Sequence, residues 1–158
     1  MGERMDEKQI YHIYAGILKL HKLFYGRKAT GEDMTGFITS LNVLNSAHNS
    51  NFCNAMTDVL RRWFTRGFSG LEADEIAPFY TDLWRFHKKY LGQENSDRFW
   101  EDAVDETRRL NQKYTFPEFQ KFTLAIMDEL ETRSVKEKVM KDERKISQAK
   151  VRGIAKGR

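Results

Sequence analysis

Turn-forming and cross-linking residues are scarce in this chain of 158 residues, which holds two prolines, one cysteine and ten glycines. Strands of an all-β protein are punctuated by Gly or Pro about every 8–12 residues, so this spacing excludes that class. The lone cysteine, Cys53, excludes an internal disulfide and fits a reducing, cytoplasmic setting. No apolar run approaches the roughly 18–20 residues that a membrane span needs, so no membrane partner is expected. The stretch Met1 to Lys8 is charged and no apolar segment comes after it, unlike a secretory signal. Position 6 holds Asp6 rather than the Ser or Thr of a myristoylation signal. With 40% hydrophobic and 13% aromatic residues the chain is too apolar to stay disordered. Its length suits one domain.

Charge is plentiful and unevenly placed. The chain carries 27 Lys+Arg and 23 Asp+Glu, a formal net charge of +4, with a sequence pI near 9.1. Residues 1–132 hold 17 basic and 20 acidic residues, a net of −3, whereas residues 133–158 hold ten and three, a net of +7. The basic character therefore belongs to the final stretch. A single helical domain over 1–132 with a basic C-terminal extension over 133–158 is expected.

Apolar residues recur at spacings of three and four, the helical period. Asp6 and Gln9 form a capping box ahead of the stripe Ile10, Ile13, Tyr14, Ile17, Leu18, His21, Phe24 and Tyr25, and Gly26 supplies the stop. A second helix reads Met34, Phe37, Ile38, Leu41 and Leu44, with Thr30 and Asp33 resembling its cap. The run Asn45 to Asn51 has turn chemistry. A third helix carries Phe52, Ala55, Met56, Val59, Leu60, Trp63 and Phe64, capped by Asn49 or Ser50 and ended by Gly67. Residues 69–77 admit two readings: Ser69 with Glu72 opens a helix that kinks at Pro78, or Pro78 lies in the first turn of a fresh helix. Either way Phe79, Tyr80, Leu83, Trp84, His87, Tyr90 and Leu91 share a face that ends at Gly92. A fifth helix, capped by Asn95 or Ser96, shows Phe99, Trp100, Ala103, Val104, Thr107, Leu110 and Tyr114. A sixth, capped by Thr115 with Pro117 in its first turn, carries Phe119, Phe122, Ile126, Met127 and Leu130. Favourable pairs at i,i+4, Glu129–Arg133 and Glu137–Lys141, suggest that this last helix projects onward as a charged rod. The expected fold is all-α, a compact array of five or six mostly antiparallel helices, with a basic helical or disordered extension.

Chemistry-bearing motifs are few. His12 and His21 are nine apart and face different directions on one helix, and neither His-Glu-x-x-His nor Glu-x-x-His occurs. His48 and Cys53 lie close across a turn, but two ligands do not make a metal site. His21 and His87 sit on apolar stripes and read as core histidines, and Cys53 as a structural thiol. No phosphate loop, dinucleotide fingerprint or nucleophile elbow is present. No catalytic, metal or cofactor-binding residue is assigned. Asp97, Glu101 and Asp105 recur at i, i+4 and i+8, a row that suits a cation or a basic partner; as a first-turn acidic cluster with an Asp105–Arg109 pair, it reads first as a solvated face. Basic residues flank aromatics at three helix ends, where phosphate contact and base stacking can combine. Arg62, Arg66, Lys88 and Lys89, together with Lys145, Lys150, Arg152, Lys156 and Arg158 of the extension, are the candidate nucleic-acid contacts.

The segment Phe79-Tyr80-Thr81-Asp82-Leu83-Trp84-Arg85-Phe86-His87-Lys88-Lys89-Tyr90, with Phe99-Trp100-Glu101 after it, resembles small helical proteins of bacterial phages and integrative mobile elements. The similarity covers residues 76–131. It implies an accessory protein and carries over no catalytic residue, cofactor or partner. The leading expectation is a non-enzymatic, cytoplasmic interaction or regulatory protein that binds a protein partner by a helix face. The alternative is a nucleic-acid-binding accessory protein acting through the basic arm. A third reading is an enzyme built around His87, Tyr80 and Asp82.

Overall fold

A computed structural model describes residues 5–94 and 96–133. The described chain forms α1 (Glu7–Phe24), α2 (Gly31–Ala47), α3 (Asn51–Thr65), a 3-10 turn (Ala73–Glu75), α4 (Ile76–Leu91) and α5 (Asp97–Lys113). A sixth helix, α6, covers residues 117–133. No strand occurs among the described residues, and none of their helices is long and apolar enough to cross a membrane.

Local sequence sets most helix ends. Asp6 accepts from the Gln9 N–H at 2.8 Å while the Gln9 side chain accepts from the Asp6 N–H at 3.0 Å, closing the capping box of α1. Gly26 comes just after this helix at φ +84°, where a side chain would be strained. Ser50 caps α3 and Ser96 caps α5, each accepting from the N–H three residues on. Pro78 lies in the first turn of α4, and the 3-10 turn ahead of it carries its own Glu72–Glu75 capping box. The fresh-start reading of residues 69–77 therefore holds, because Pro lacks only an N–H that a first turn leaves unused.

Three local expectations need correction. The α2 helix runs on through Asn45, Ser46 and Ala47, since Asn45 finds a partner in Thr57 of α3 (Nδ2 to Oγ1, 3.0 Å) that outweighs its turn preference. Thr30 occupies the cap position of α2 without a side-chain hydrogen bond. Residue 116 rather than Thr115 precedes the first helical residue of α6, because the Phe116 ring is drawn into the core and its carbonyl accepts from the Phe119 N–H at 3.2 Å.

Helix α1 is the hub, packing on α2, α3 and α4. Gly16 lets α2 approach closely: a Cβ there would sit 2.6 Å from a Leu44 methyl. Ring contacts fix the directions. Phe24 meets Phe37 while Gly16 meets Leu44, so α1 and α2 are antiparallel. Tyr14 meets Phe52 and His21 meets Trp63, so α3 runs parallel to α1. Glu7 pairs with Lys88 and His21 with Tyr80, so α4 is antiparallel to α1. Phe122 meets Tyr80 and Glu129 meets His87, so α6 runs parallel to α4. The core centres on Trp63, whose ring touches His21, Phe68, Phe79, Phe116 and Phe122 and whose Nε1 donates to the Ser69 carbonyl at 2.8 Å. Gly70, at φ +110°, lies so close to Phe116 that a Cβ would stand 2.7 Å from its ring.

Candidate functional site

Three places hold grouped polar chemistry. The first is a buried chain of hydrogen bonds joining α1, α4 and α6. Tyr14 Oη lies 2.9 Å from His87 Nδ1, and His87 Nε2 lies 2.7 Å from Glu129 Oε1. Arg133 Nε donates to Glu129 Oε2 at 3.2 Å, and its Nη2 donates to the Met5 carbonyl at 2.8 Å. Burial holds the Tyr14 hydroxyl protonated, with its pKa well above the usual range. Burial also lowers the His87 pKa, against the opposing pull of Glu129. Burial alone would raise the Glu129 pKa, but His87 and Arg133 outweigh it and hold the carboxyl below its ordinary value. One proton arrangement satisfies every member: Tyr14 donates to a neutral imidazole, which donates through Nε2 to an ionised Glu129. The carboxylate–imidazole–hydroxyl order is that of a nucleophile relay, but Tyr14 is buried beneath Phe52 and Trp84. The chain of bonds ties three helices together.

The i,i+4 spacing alone places the Glu129–Arg133 pair on a solvated rod. Its side chains are instead 9% and 7% exposed, because the N-terminal segment at Met5 and the His87 imidazole close over them. Arg133, the expected first residue of the extension, belongs to the body. The Glu137–Lys141 pair lies outside the described residues, as do Asn95 and the arm residues Lys145, Lys150, Arg152, Lys156 and Arg158.

The second grouping is His21 with Tyr80, whose Nδ1 and Oη lie 2.7 Å apart. His21 is fully buried between Trp63 and Phe68 rings and its Nε2 has no hydrogen-bond partner. Burial lowers its pKa to about 3, so the ring is neutral. Asp82 lies on another face of α4, where it accepts from Lys113 Nζ at 3.0 Å and from the Tyr114 hydroxyl. The trio His87, Tyr80 and Asp82 is thus dispersed into three separate partnerships. Cys53 is buried, burial raises its thiol to about 11, and its Sγ faces the Leu44 carbonyl at 3.9 Å. His48 instead faces His12 of α1, ring centroids 6.3 Å apart. No cluster of three metal-ligating side chains occurs among the described residues.

The candidate nucleic-acid contacts of the body do not converge. Arg62 pairs with Asp58 at 3.2 Å and Arg66 with Glu118 at 2.8 Å, beside the C-terminal half of α1. Lys88 pairs with Glu7 at 3.5 Å and Lys89 with Glu106 at 3.2 Å, beside its N-terminus. An 18-residue helix is about 27 Å long, so the two pairs stand at opposite ends of the molecule. The Arg66 contact is close but poorly aligned: Glu118 is 3% exposed, and neither of its oxygens completes a hydrogen bond. Its attraction is Coulombic, aided by the positive N-terminal end of α6.

The third grouping is the outer face of α5. This helix packs on α4 through Phe99 and buries only Phe99 and Ala103. Trp100 is half-buried and Val104 is 38% exposed. Together with Glu101, Asp105 and Arg108 they line an open groove of about 450 Å³. Asp105 pairs with Arg108 at 3.6 Å rather than with Arg109, and Arg98 approaches Asp102 at 4.0 Å. These contacts are solvent-exposed and worth little to stability. An apolar strip with a carboxylate rim can seat a side chain and steer a cationic one. A second cleft, of about 210 Å³, lies between α2 and α3 over Leu41 and is lined by Asn42, Asn45, Asn54, Thr57, Asp58 and Arg61, but its Asn45 amide and Thr57 hydroxyl are already bonded to each other across it.

Sequence reasoning missed Glu129, Arg133 and Tyr14 as one network. The i,i+4 spacing of Glu129 and Arg133 was visible, but the His87 that buries them is remote in sequence. Comparison with protein-family models, with curated proteins and with solved structures returned no significant match.

Proposed function

We propose that the protein is a non-enzymatic interaction protein that docks a protein partner on the outer face of α5. One observation carries this reading: Trp100 and Val104 stand partly exposed on a helix that buries only Phe99 and Ala103, beside charged side chains. Elsewhere the large aromatics are mostly sunk in the core, and the buried imidazoles are tied into the scaffold. Partly exposed tryptophan at the centre of a charged rim is the usual composition of a protein contact. A cytoplasmic setting fits a chain whose one cysteine is buried and unpaired. The resemblance of residues 76–131 to helical proteins of phages and integrative elements supports an accessory role.

The test is site-specific photo-crosslinking of the full chain in cells. A photoreactive residue at Val104 should give a discrete adduct that is lost in Trp100→Ala. The same probe at Lys121, exposed on α6, should not give it. Equal adducts from both positions, or an adduct indifferent to Trp100→Ala, would refute the assignment.

A further inference from the structure

The chain leaves the described body at Arg133, whose guanidinium is clasped by Glu129 and the Met5 carbonyl. This is also the end of the bundle where α5 begins. Helix α6 runs parallel to α4, and the C-terminal turn of α4 meets the first turn of α5 through Tyr90 and Phe99, ring centroids 5.3 Å apart. Residues 134–158, next along the chain, contain nine Lys/Arg against three Asp/Glu, interrupted by Val135, Val139, Met140, Ile146, Val151 and Ile154. The α5 face carries the converse charge: Glu101 and Asp105 line the Trp100–Val104 strip, and Asp97 precedes them at the same four-residue spacing.

We propose that residues 134–158 are a ligand of the α5 face within the same molecule, and so compete with the partner for it. The inference rests on the reading of α5 as a docking face. Charge decides the occupant: a segment with a net charge of +6 meets a groove whose two lining carboxylates, Glu101 and Asp105, face one arginine, Arg108, with Asp97 one turn before them on the same row. Trp100 adds a π face for a Lys or Arg of the segment, and the scattered aliphatics suit the apolar strip. Reach is sufficient. The 17-residue α5 is about 26 Å long, whereas 25 residues of chain span about 80 Å when extended. Covalent attachment places the segment at an effective concentration on the order of millimolar, so weak contacts suffice.

The experiment uses the full chain in a Cys53→Ala background, with a spin label at Lys150→Cys and amide resonances as the readout. The amides of Asp97 to Arg108 should lose intensity while those of α2 do not. The loss should vanish in about 1 M salt, where charges are screened beyond about 3 Å, and in the neutralised variant Asp97→Asn/Glu101→Gln/Asp105→Asn, whose remaining spectrum reports an intact fold. Equal broadening of α2 and α5 would overturn the proposal, as would broadening unchanged in the neutralised variant. So would broadening that arises only when labelled and isotope-enriched molecules are mixed, which marks a contact between copies. Absence of broadening beside an intact Val104 adduct removes the intramolecular ligand and leaves the docking face standing. Broadening without any adduct does the reverse.

Discussion

Helices α3 and α5 look alike in sequence and end differently in space. Each is opened by a serine that accepts from the N–H three residues on, and each carries an aromatic pair on an amphipathic stripe. Yet α3 buries eight of its 15 residues and α5 two of its 17. The cause is what closes over each stripe. Rings from α1, α4 and α6 close around Trp63 on α3, whereas α5 leans on α4. An amphipathic pattern announces a face to be covered, and the surrounding topology decides how much of it is covered. The uncovered remainder, Trp100 with Val104, is contact surface left over from the packing of α5.

The sharpest way to test that contrast is to delete one tryptophan from each helix. Trp63→Ala should cost about 3–5 kcal/mol, since it opens a cavity among fully buried rings and frees the Ser69 carbonyl. Trp100→Ala should cost about 1 kcal/mol or less while removing the docking contact. Chemical denaturation of both variants reads the gap, and equal losses would erase the distinction between core helix and presenting helix.

The carboxylates offer a second contrast. Glu129→Ala should destabilise by about 3 kcal/mol, because Arg133 is left buried without its counter-charge and His87 without its acceptor. Glu101→Ala should stay within about 0.5 kcal/mol, as expected of an exposed rim residue. Thermal melts at neutral pH distinguish the two.

Acid acts on the core. His21 titrates near 3 in the folded state and near its ordinary 6.5 when unfolded. Between those values the unfolded chain binds the extra proton, so stability is full above about pH 6.5 and falls as pH drops toward 3. At pH 5 the loss from His21 alone should be about 2 kcal/mol relative to pH 7. The lowered pKa values of His87 and Glu129 act in the same direction, His87 from about pH 6.5 downward and Glu129 from about 4.5. Denaturation midpoints measured across this range should fall with pH, and His21→Phe, which removes the titrating group, should flatten the His21 part of the slope.

The most local effect is at the caps. Ser50→Ala and Ser96→Ala should each cost about 1 kcal/mol of local helix stability. Amide exchange should show the first loss spread over the whole core and the second confined to the opening turn of α5, since that turn is less tied to the rest.

Helix number, the α1 and α3 stripes, the Asp6–Gln9 box and the Pro78 start were legible because they are local: spacing, caps and backbone constraints act within a few residues. The identification of His21 and His87 as core histidines was legible for the same reason, since both lie on apolar stripes. Their partners were not. Tyr14 and His87 are 73 residues apart, and His87 and Glu129 42 apart. The outer face of α5 was half legible. Its carboxylate row was evident from spacing, but Trp100 and Val104 read as core because their stripe is as regular as that of α3.

By itself, then, the sequence determined an all-helical body, its helix ends and the concentration of positive charge after residue 132, all consequences of short-range periodicity and composition. Tertiary structure alone decided which polar groups meet. It sank Glu129 and Arg133 beneath His87, dispersed the basic residues of the body to opposite ends of α1 and left the Trp100–Val104 strip partly uncovered. Burial and pairing depend on which helices become neighbours, and that is settled by packing across the whole chain rather than by any one segment of it.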